Sequence, residues 1–186
     1  MPAHADQEAG NRTHVATDPW GTCYARSAPA EDYGSAGRTD VYAVGTIDQP
    51  DSLVASYDIF SGGIYLDCLT LGEDGVPGIA MAALGPWPRG REPDDETLAI
   101  AFFFAGREVA RYSTSDVSGD RIEAVSCSVS HYQVIGEIEG FQRNAEDRDV
   151  FVLVTVDGLR LTFDAATGEL LDSVEGAMPQ VGRGAC

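Results

Sequence analysis

Nowhere in this sequence does an apolar pattern hold a helical period. From Trp20 onward, short β-branched or aromatic runs alternate with Gly, Pro, Asp and Ser at the spacing of strands and turns. That rhythm restricts the chain to an all-β fold. The stretch DDETLAIAFFFAG starts like a helix, but its aromatic run and following turn read as a strand. Strands are expected at about 39–46, 53–60, 64–71, 78–85, 97–104, 107–114, 121–141 with a break, 149–156, 159–164 and 169–174. A chain of 186 residues buries one sizeable core and needs no second. The expected architecture is a single antiparallel β-sandwich or flattened barrel with little helix over residues 19–186, preceded by a flexible leader at 1–18.

Three two-residue turns, Gly62-Gly63, Ala105-Gly106 and Asp157-Gly158, set the expected registers. In FVLVTVDGLRLTF the last of them places Val156 opposite Leu159, Val154 opposite Leu161 and Val152 opposite Phe163, an apolar face backed by Thr155, Arg160 and Thr162. The same rule applied to SYDIFSGGIYLDC pairs Phe60 with Tyr65, Ile59 with Leu66, Asp58 with Asp67 and Tyr57 with Cys68. The face with Tyr57, Ile59, Ile64, Leu66 and Cys68 is uncharged and turns inward, because burying two facing carboxylates costs several kcal/mol. Asp58 and Asp67 then stand outside beside Phe60 and Tyr65. An arginine, a cation or a ligand would offset their repulsion, and the rings beside carboxylates suit a sugar.

The net charge of −18 comes from thirty acids against twelve bases, all of them arginine. Such a chain repels phosphate backbones and anionic lipid, which excludes nucleic acid as a partner and leaves cations, neutral ligands and basic proteins. No apolar run reaches the length of a membrane span. Cys23, Cys68, Cys127 and Cys186 lack C-x-x-C spacing, and no zinc site is expected. An even count spread along the chain suits two disulfides and an oxidising compartment. The preferred pairing is Cys23 with Cys186 and Cys68 with Cys127, with two other connectivities open. Ala3-His4-Ala5 before Asp6 matches the end of a signal peptide, so a periplasmic or secreted location is expected.

Residues 126–133 of SCSVSHYQV alternate strictly, with Val125, Cys127, Val129 and His131 on one face and serines and Tyr132 on the other. His131, alone outside the leader, is the one general-base candidate and, on the cysteine side, reads first as a hydrogen-bonded core residue. GPWPRGRE brackets Trp87 with prolines and follows it with Arg89 and Arg91, a stiff loop whose tryptophan is either an interface anchor or a lid on the core. The acidic loops EPDDE, SDVSGD and NAEDRD offer calcium loose ligands without the D-x-D-x-D-G spacing, so no cofactor is expected beyond that calcium option. No nucleophile elbow, P-loop, H-E-x-x-H or dinucleotide fingerprint appears.

FDAATGELL resembles the strand-turn-strand signature of quinoprotein-type propeller blades; a propeller repeats that unit and the sequence displays one copy, so the turn is kept and the propeller is not. Through WGTCYARSAPAEDYG, GPWPRGRE, LAIAFFFAGREVARYSTSDV and SVSHY the chain resembles a group of short exported bacterial proteins, which implies export and carries over no activity. The cysteine before YARSAP with a C-terminal cysteine is also similar to periplasmic proteins of the invasion-associated locus B family, a pattern that the middle of the chain does not follow.

The expected function is an exported, non-catalytic binding or accessory protein, its partner a carbohydrate or an envelope protein. Its ligand seat is drawn from Asp58, Phe60, Tyr65, Asp67, Trp87 and Arg89. The rival is an acid-base, glycosidase-like hydrolase using Asp58 and Asp67, or His131. A third reading is a purely structural envelope protein.

Overall fold

The computed structural model describes residues 10–72, 75–90, 92–119, 121, 125–127 and 130–175. The first sheet holds β1 (His14–Thr17), β2 (Cys23–Pro29), β3 (Gly37–Ala43) and β4 (Ser52–Tyr57) in sequence order, all antiparallel. The second repeats the plan with β5 (Ile64–Leu71), β6 (Pro77–Leu84), β7 (Leu98–Phe104) and β8 (Arg107–Ser113). A single helical turn, α1 (Thr114–Ser118), and a two-strand ladder, β9 (Ser126–Cys127) with β10 (Tyr132–Gln133), lead to the third. That sheet holds β11 (Ile135–Arg143), β12 (Asp149–Thr155), β13 (Leu159–Asp164) and β14 (Leu170–Glu175).

The expectation of one sandwich therefore gives way to three four-stranded meanders. The second sheet lies between the others. Ile64, Leu66, Met81 and Phe103 join Cys23, Ala25, Val41 and Tyr57 in one core, while Ala82, Ile100 and Phe102 join Phe151, Leu153, Leu161 and Phe163 in another. The first strand of the second sheet, β5, approaches the first strands of the other two, β1 and β11. Consecutive blades of a β-propeller are disposed in this way. Each of the three large sheets is thus a four-stranded meander with its strands in sequence order.

The signal for a doubly covered sheet lies in PGIAMAAL and LAIAFFF. Both are continuous apolar runs, as strands buried on two faces are, rather than alternating ones. Their alanines keep the sheet thin enough for two neighbours to close on it.

The hairpin across Gly62-Gly63 does not form. β4 pairs with β3, setting Ser56 opposite Asp40, and β5 pairs with β6, setting Asp67 opposite Ala80. Residues 58–63 instead carry the chain from the first sheet to the second. Inward-facing hydroxyls hold this strap: Thr39 Oγ1 donates to the Ile59 carbonyl at 2.7 Å, and Ser61 N–H donates to Ser27 Oγ at 3.2 Å. Ser61 Oγ bonds the carbonyls of Gly63 and Leu84. Supplied with these partners, the strap buries Ile59 and Phe60 and needs no cross-strand ladder.

The register at Asp157-Gly158 is one residue off the expectation. Leu153 faces Leu161 and Phe151 faces Phe163, so Phe151 and Leu153, not Val152 and Val154, turn towards the second sheet. Thr155 fixes the slip: its hydroxyl donates to the Asp157 carboxylate and accepts the Leu159 N–H, and Gly158 N–H closes on the Thr155 carbonyl. The result is a three-residue turn with Gly158 at φ +91°. The apolar run Val150–Val154 reads alike on both faces, and hydrophobicity alone leaves its register open. Ala105-Gly106 is the two-residue turn expected, with Phe104 opposite Arg107.

Ser126–Cys127 pairs antiparallel with Tyr132–Gln133, Tyr132 opposite Cys127, instead of continuing with it as one alternating strand. His14–Thr17, inside the stretch expected to be leader, is the edge strand β1.

Among the described residues there is one disulfide, Cys23–Cys68, with Cα atoms 6.2 Å apart. It overturns both preferred pairings, Cys23 with Cys186 and Cys68 with Cys127; Cys186 lies outside the described residues. The reason is the face-to-face stacking: Cys23 opens β2 on its inward side, and Cys68 looks across from β5. Among the described residues no helix is long and apolar enough to cross a membrane.

Candidate functional site

A chain that brackets a tryptophan with prolines and withholds backbone donors must be tied down elsewhere. After β6, Gly85 N–H donates to the Ala99 carbonyl at 2.9 Å and brings the chain hard against the Leu98 backbone, where any Cβ would collide. Residues 88–90 then run alongside 130–132. Tyr132 N–H donates to the Pro88 carbonyl at 3.1 Å, Gly90 N–H donates to the Ser130 carbonyl at 3.0 Å, and Arg89 bridges His131. This short ladder lays the Trp87 indole over the His131 ring, centroids 4.8 Å apart and planes 20° from parallel. His131 is buried, its Nδ1 3.0 Å from Ser130 Oγ, whereas Trp87 keeps 39% of its surface exposed.

The platform rests on a hydroxyl network. Tyr132 is fully buried and shares a hydrogen bond with Thr114 at 2.9 Å. Thr114 accepts the Asp94 N–H, and its hydroxyl lies 3.0 Å from the Asp94 carbonyl. The Asp94 carboxylate accepts the backbone N–H and side-chain hydroxyl of Thr97 together with the Glu96 N–H, and these bonds hold its pKa below the ordinary 3.8. Burial raises the Tyr132 phenol, which stays neutral. A box of Ser113 and Asp116 caps α1 and fixes Thr114 at its start.

Two clefts flank the indole. One of about 290 Å³ runs from Leu84 to Pro88 and on to Thr114 and Gln133. The other, about 350 Å³, lies between Trp87 and Tyr33, whose ring receives the Arg89 guanidinium at 5.4 Å. The loop that carries Tyr33 is held by Asn11, whose amide donates to the carbonyls of Glu31 and Gly34. All three sheets thus contribute to the rim. Volumes of this order with apolar walls and a few polar groups are those of small-ligand seats.

Of the residues singled out in the sequence, Trp87, Arg89 and His131 meet here. Asp58, Phe60, Tyr65 and Asp67 do not form the expected outward cluster. Asp58 is exposed beyond the end of β4, Phe60 is buried against His14, Tyr65 packs edge-on to Phe151, and Asp67 accepts the Leu69 N–H. Tyr33, Thr114 and Gln133 were not anticipated: the first sits in EDYG, which reads as a plain loop, and the others gain their role only when distant loops converge.

Among the described residues, one place brings three ligand-type side chains together: Asp18, Cys23 and Cys68. The cysteines are joined to each other, and the Asp18 carboxylate already accepts N–H groups of Trp20, Thr22 and Cys23 and the Thr22 hydroxyl. That carboxylate caps a turn and has no lone pair directed at a metal. No protein-family model matches the chain, and no curated protein does either.

Proposed function

We propose that this chain is an exported, non-catalytic binding module whose ligand seat is the Trp87 platform, and that its ligand is a neutral carbohydrate segment. One observation carries the reading: a tryptophan held between two prolines and backed by a buried imidazole keeps an exposed indole between two clefts. A flat aromatic surface fixed before the ligand arrives loses little entropy on binding. It suits the C–H face of a sugar ring, whose hydroxyls find Arg89, Tyr33 and Gln133 at the edges. The charge of −18 disfavours polyanions.

Export is supported by the disulfide between Cys23 and Cys68, a bond that persists in oxidising compartments. The expected second disulfide then has one connectivity left, Cys127 with Cys186. Binding needs no metal, calcium included.

Titration calorimetry of the full chain against a panel of neutral oligosaccharides tests the reading. Wild type binds at least one of them, EDTA does not alter the affinity, and Trp87→Ala weakens it tenfold or more while the unfolding midpoint moves little. Asp58→Asn with Asp67→Asn binds like wild type. A Trp87→Ala variant of unchanged affinity, or a wild type that binds no neutral glycan, overturns it.

A further inference from the structure

The two clefts beside Trp87 differ in chemistry. Pro86, Trp87 and Pro88 line both, so a molecule lying on the indole reaches into each. Beyond those shared walls the second cleft offers the Tyr33 phenol, the Arg89 guanidinium and the Thr97 hydroxyl. The first, of about 290 Å³, is walled by Leu84, Leu98, Ala99, Val134 and Ile135, and none of the described residues that line it is charged. Leu98, Ala99 and Val134 are buried at its floor, while Leu84 and Ile135 are half-buried at its rim, where it opens beside the exposed indole.

Few hydrogen-bonding groups in the first cleft are open to a ligand. The Thr114 hydroxyl, with one proton and two lone pairs, already meets the Asp94 N–H, the Asp94 carbonyl and the Tyr132 hydroxyl. Gly85 N–H is engaged by the Ala99 carbonyl and Thr114 N–H by the Thr97 carbonyl, and the two prolines have no N–H to give. Gln133, exposed at the mouth, keeps its side-chain amide for a ligand. A sugar ring pushed inside would bury hydroxyls without partners, each a loss of roughly tenfold in affinity. An apolar group meets no such penalty and gains by leaving water.

We infer that the ligand is an amphipathic glycoside: a neutral sugar lies on the Trp87 indole, directed towards Tyr33 and Arg89, and an apolar aglycone fills the first cleft. This rests on the reading of the Trp87 platform as a carbohydrate seat. It adds a second anchor that a plain oligosaccharide lacks.

Titration calorimetry of the full chain tests it with methyl, hexyl and phenyl β-glucopyranosides and β-galactopyranosides, below any micelle concentration, and with 1-hexanol. For at least one of the two sugars, the hexyl or phenyl compound binds at least tenfold more tightly than the methyl one. The five methylenes that separate hexyl from methyl allow well over that factor. The heat-capacity change becomes more negative with the larger aglycone. Ile135→Trp and Leu84→Phe, which fill the cleft from its rim, each abolish the gain and leave the methyl glycoside bound as in wild type, with unchanged circular dichroism. Affinity that does not depend on the aglycone, or no binding of any of these glycosides, overturns the inference, and the carbohydrate seat then stands or falls separately on Trp87→Ala with neutral oligosaccharides. A gain that survives both fillings places the aglycone elsewhere and overturns it too. So does 1-hexanol bound as tightly as the hexyl glycoside, which would make the sugar superfluous.

Discussion

The Trp87 indole lies on the His131 imidazole, 4.8 Å between ring centroids, because the backbone of Pro88 and Gly90 is bonded to that of Tyr132 and Ser130. The imidazole is therefore a support under an exposed ring. In His131→Ala the support goes while the ladder remains. The expected outcome is a loss of about 1–3 kcal/mol in denaturant unfolding, the usual span for a single destabilising substitution. Trp87 emission, read with Trp20→Phe in the background, shifts to the red. Unchanged emission would show that the stack does not hold the indole.

The Cys23–Cys68 bridge spans 45 residues, and loop-closure entropy puts its contribution near ~4 kcal/mol. Replacing both cysteines by alanine should lower unfolding stability by up to that amount. Peptide mapping without reduction should recover a fragment that joins Cys23 to Cys68. Recovery of Cys23 with Cys186 would contradict the face-to-face packing of the first two sheets.

Gly168 sits at φ +70° in the β13–β14 turn, and a Cβ there would lie 2.6 Å from the Ala110 Cβ and 2.9 Å from that of Phe102. Its carbonyl accepts the Tyr112 hydroxyl at 2.9 Å. Gly168→Ala combines backbone strain with overpacking between two sheets, an expected cost of about 2–4 kcal/mol. Gly75, also at positive φ but with open space around its Cβ position, is the control and should lose less. Equal midpoints for the two variants would remove the packing argument.

Asp94 is ionised more readily folded than unfolded, held by its bonds to Thr97 and Glu96. The unfolded chain binds a proton there near the ordinary 3.8, so the contribution is present above that value and is lost as pH falls through the lower folded one. The stability gap between wild type and Asp94→Asn should accordingly be constant above about pH 5 and shrink towards pH 3. A gap that widens on acidification would reverse the assignment.

Most strands were legible because turn residues punctuate them. What was not legible depends on partners remote in sequence. Gly62-Gly63 has the composition of a hairpin turn, yet Ser27 and Thr39, far upstream, take the strap's backbone groups and send β4 and β5 into different sheets. The pairing of Asp58 with Asp67 was lost with that hairpin. Val150–Val154 is apolar on both sides, so one hydroxyl, that of Thr155, decided which half faces the core. Trp87, Arg89 and His131 could each be picked out by residue type. Their meeting with Tyr33 could not, because it requires the first sheet to be stacked on the second.

The link between Cys23 and Cys68 joins two cysteines that follow one another directly in the order of the sequence. Oxidation can therefore proceed in the order of synthesis, sealing β2 to β5 before either later thiol has emerged to compete. A chain assembled blade after blade would gain a covalent foothold at its second blade and would need no isomerase to correct it.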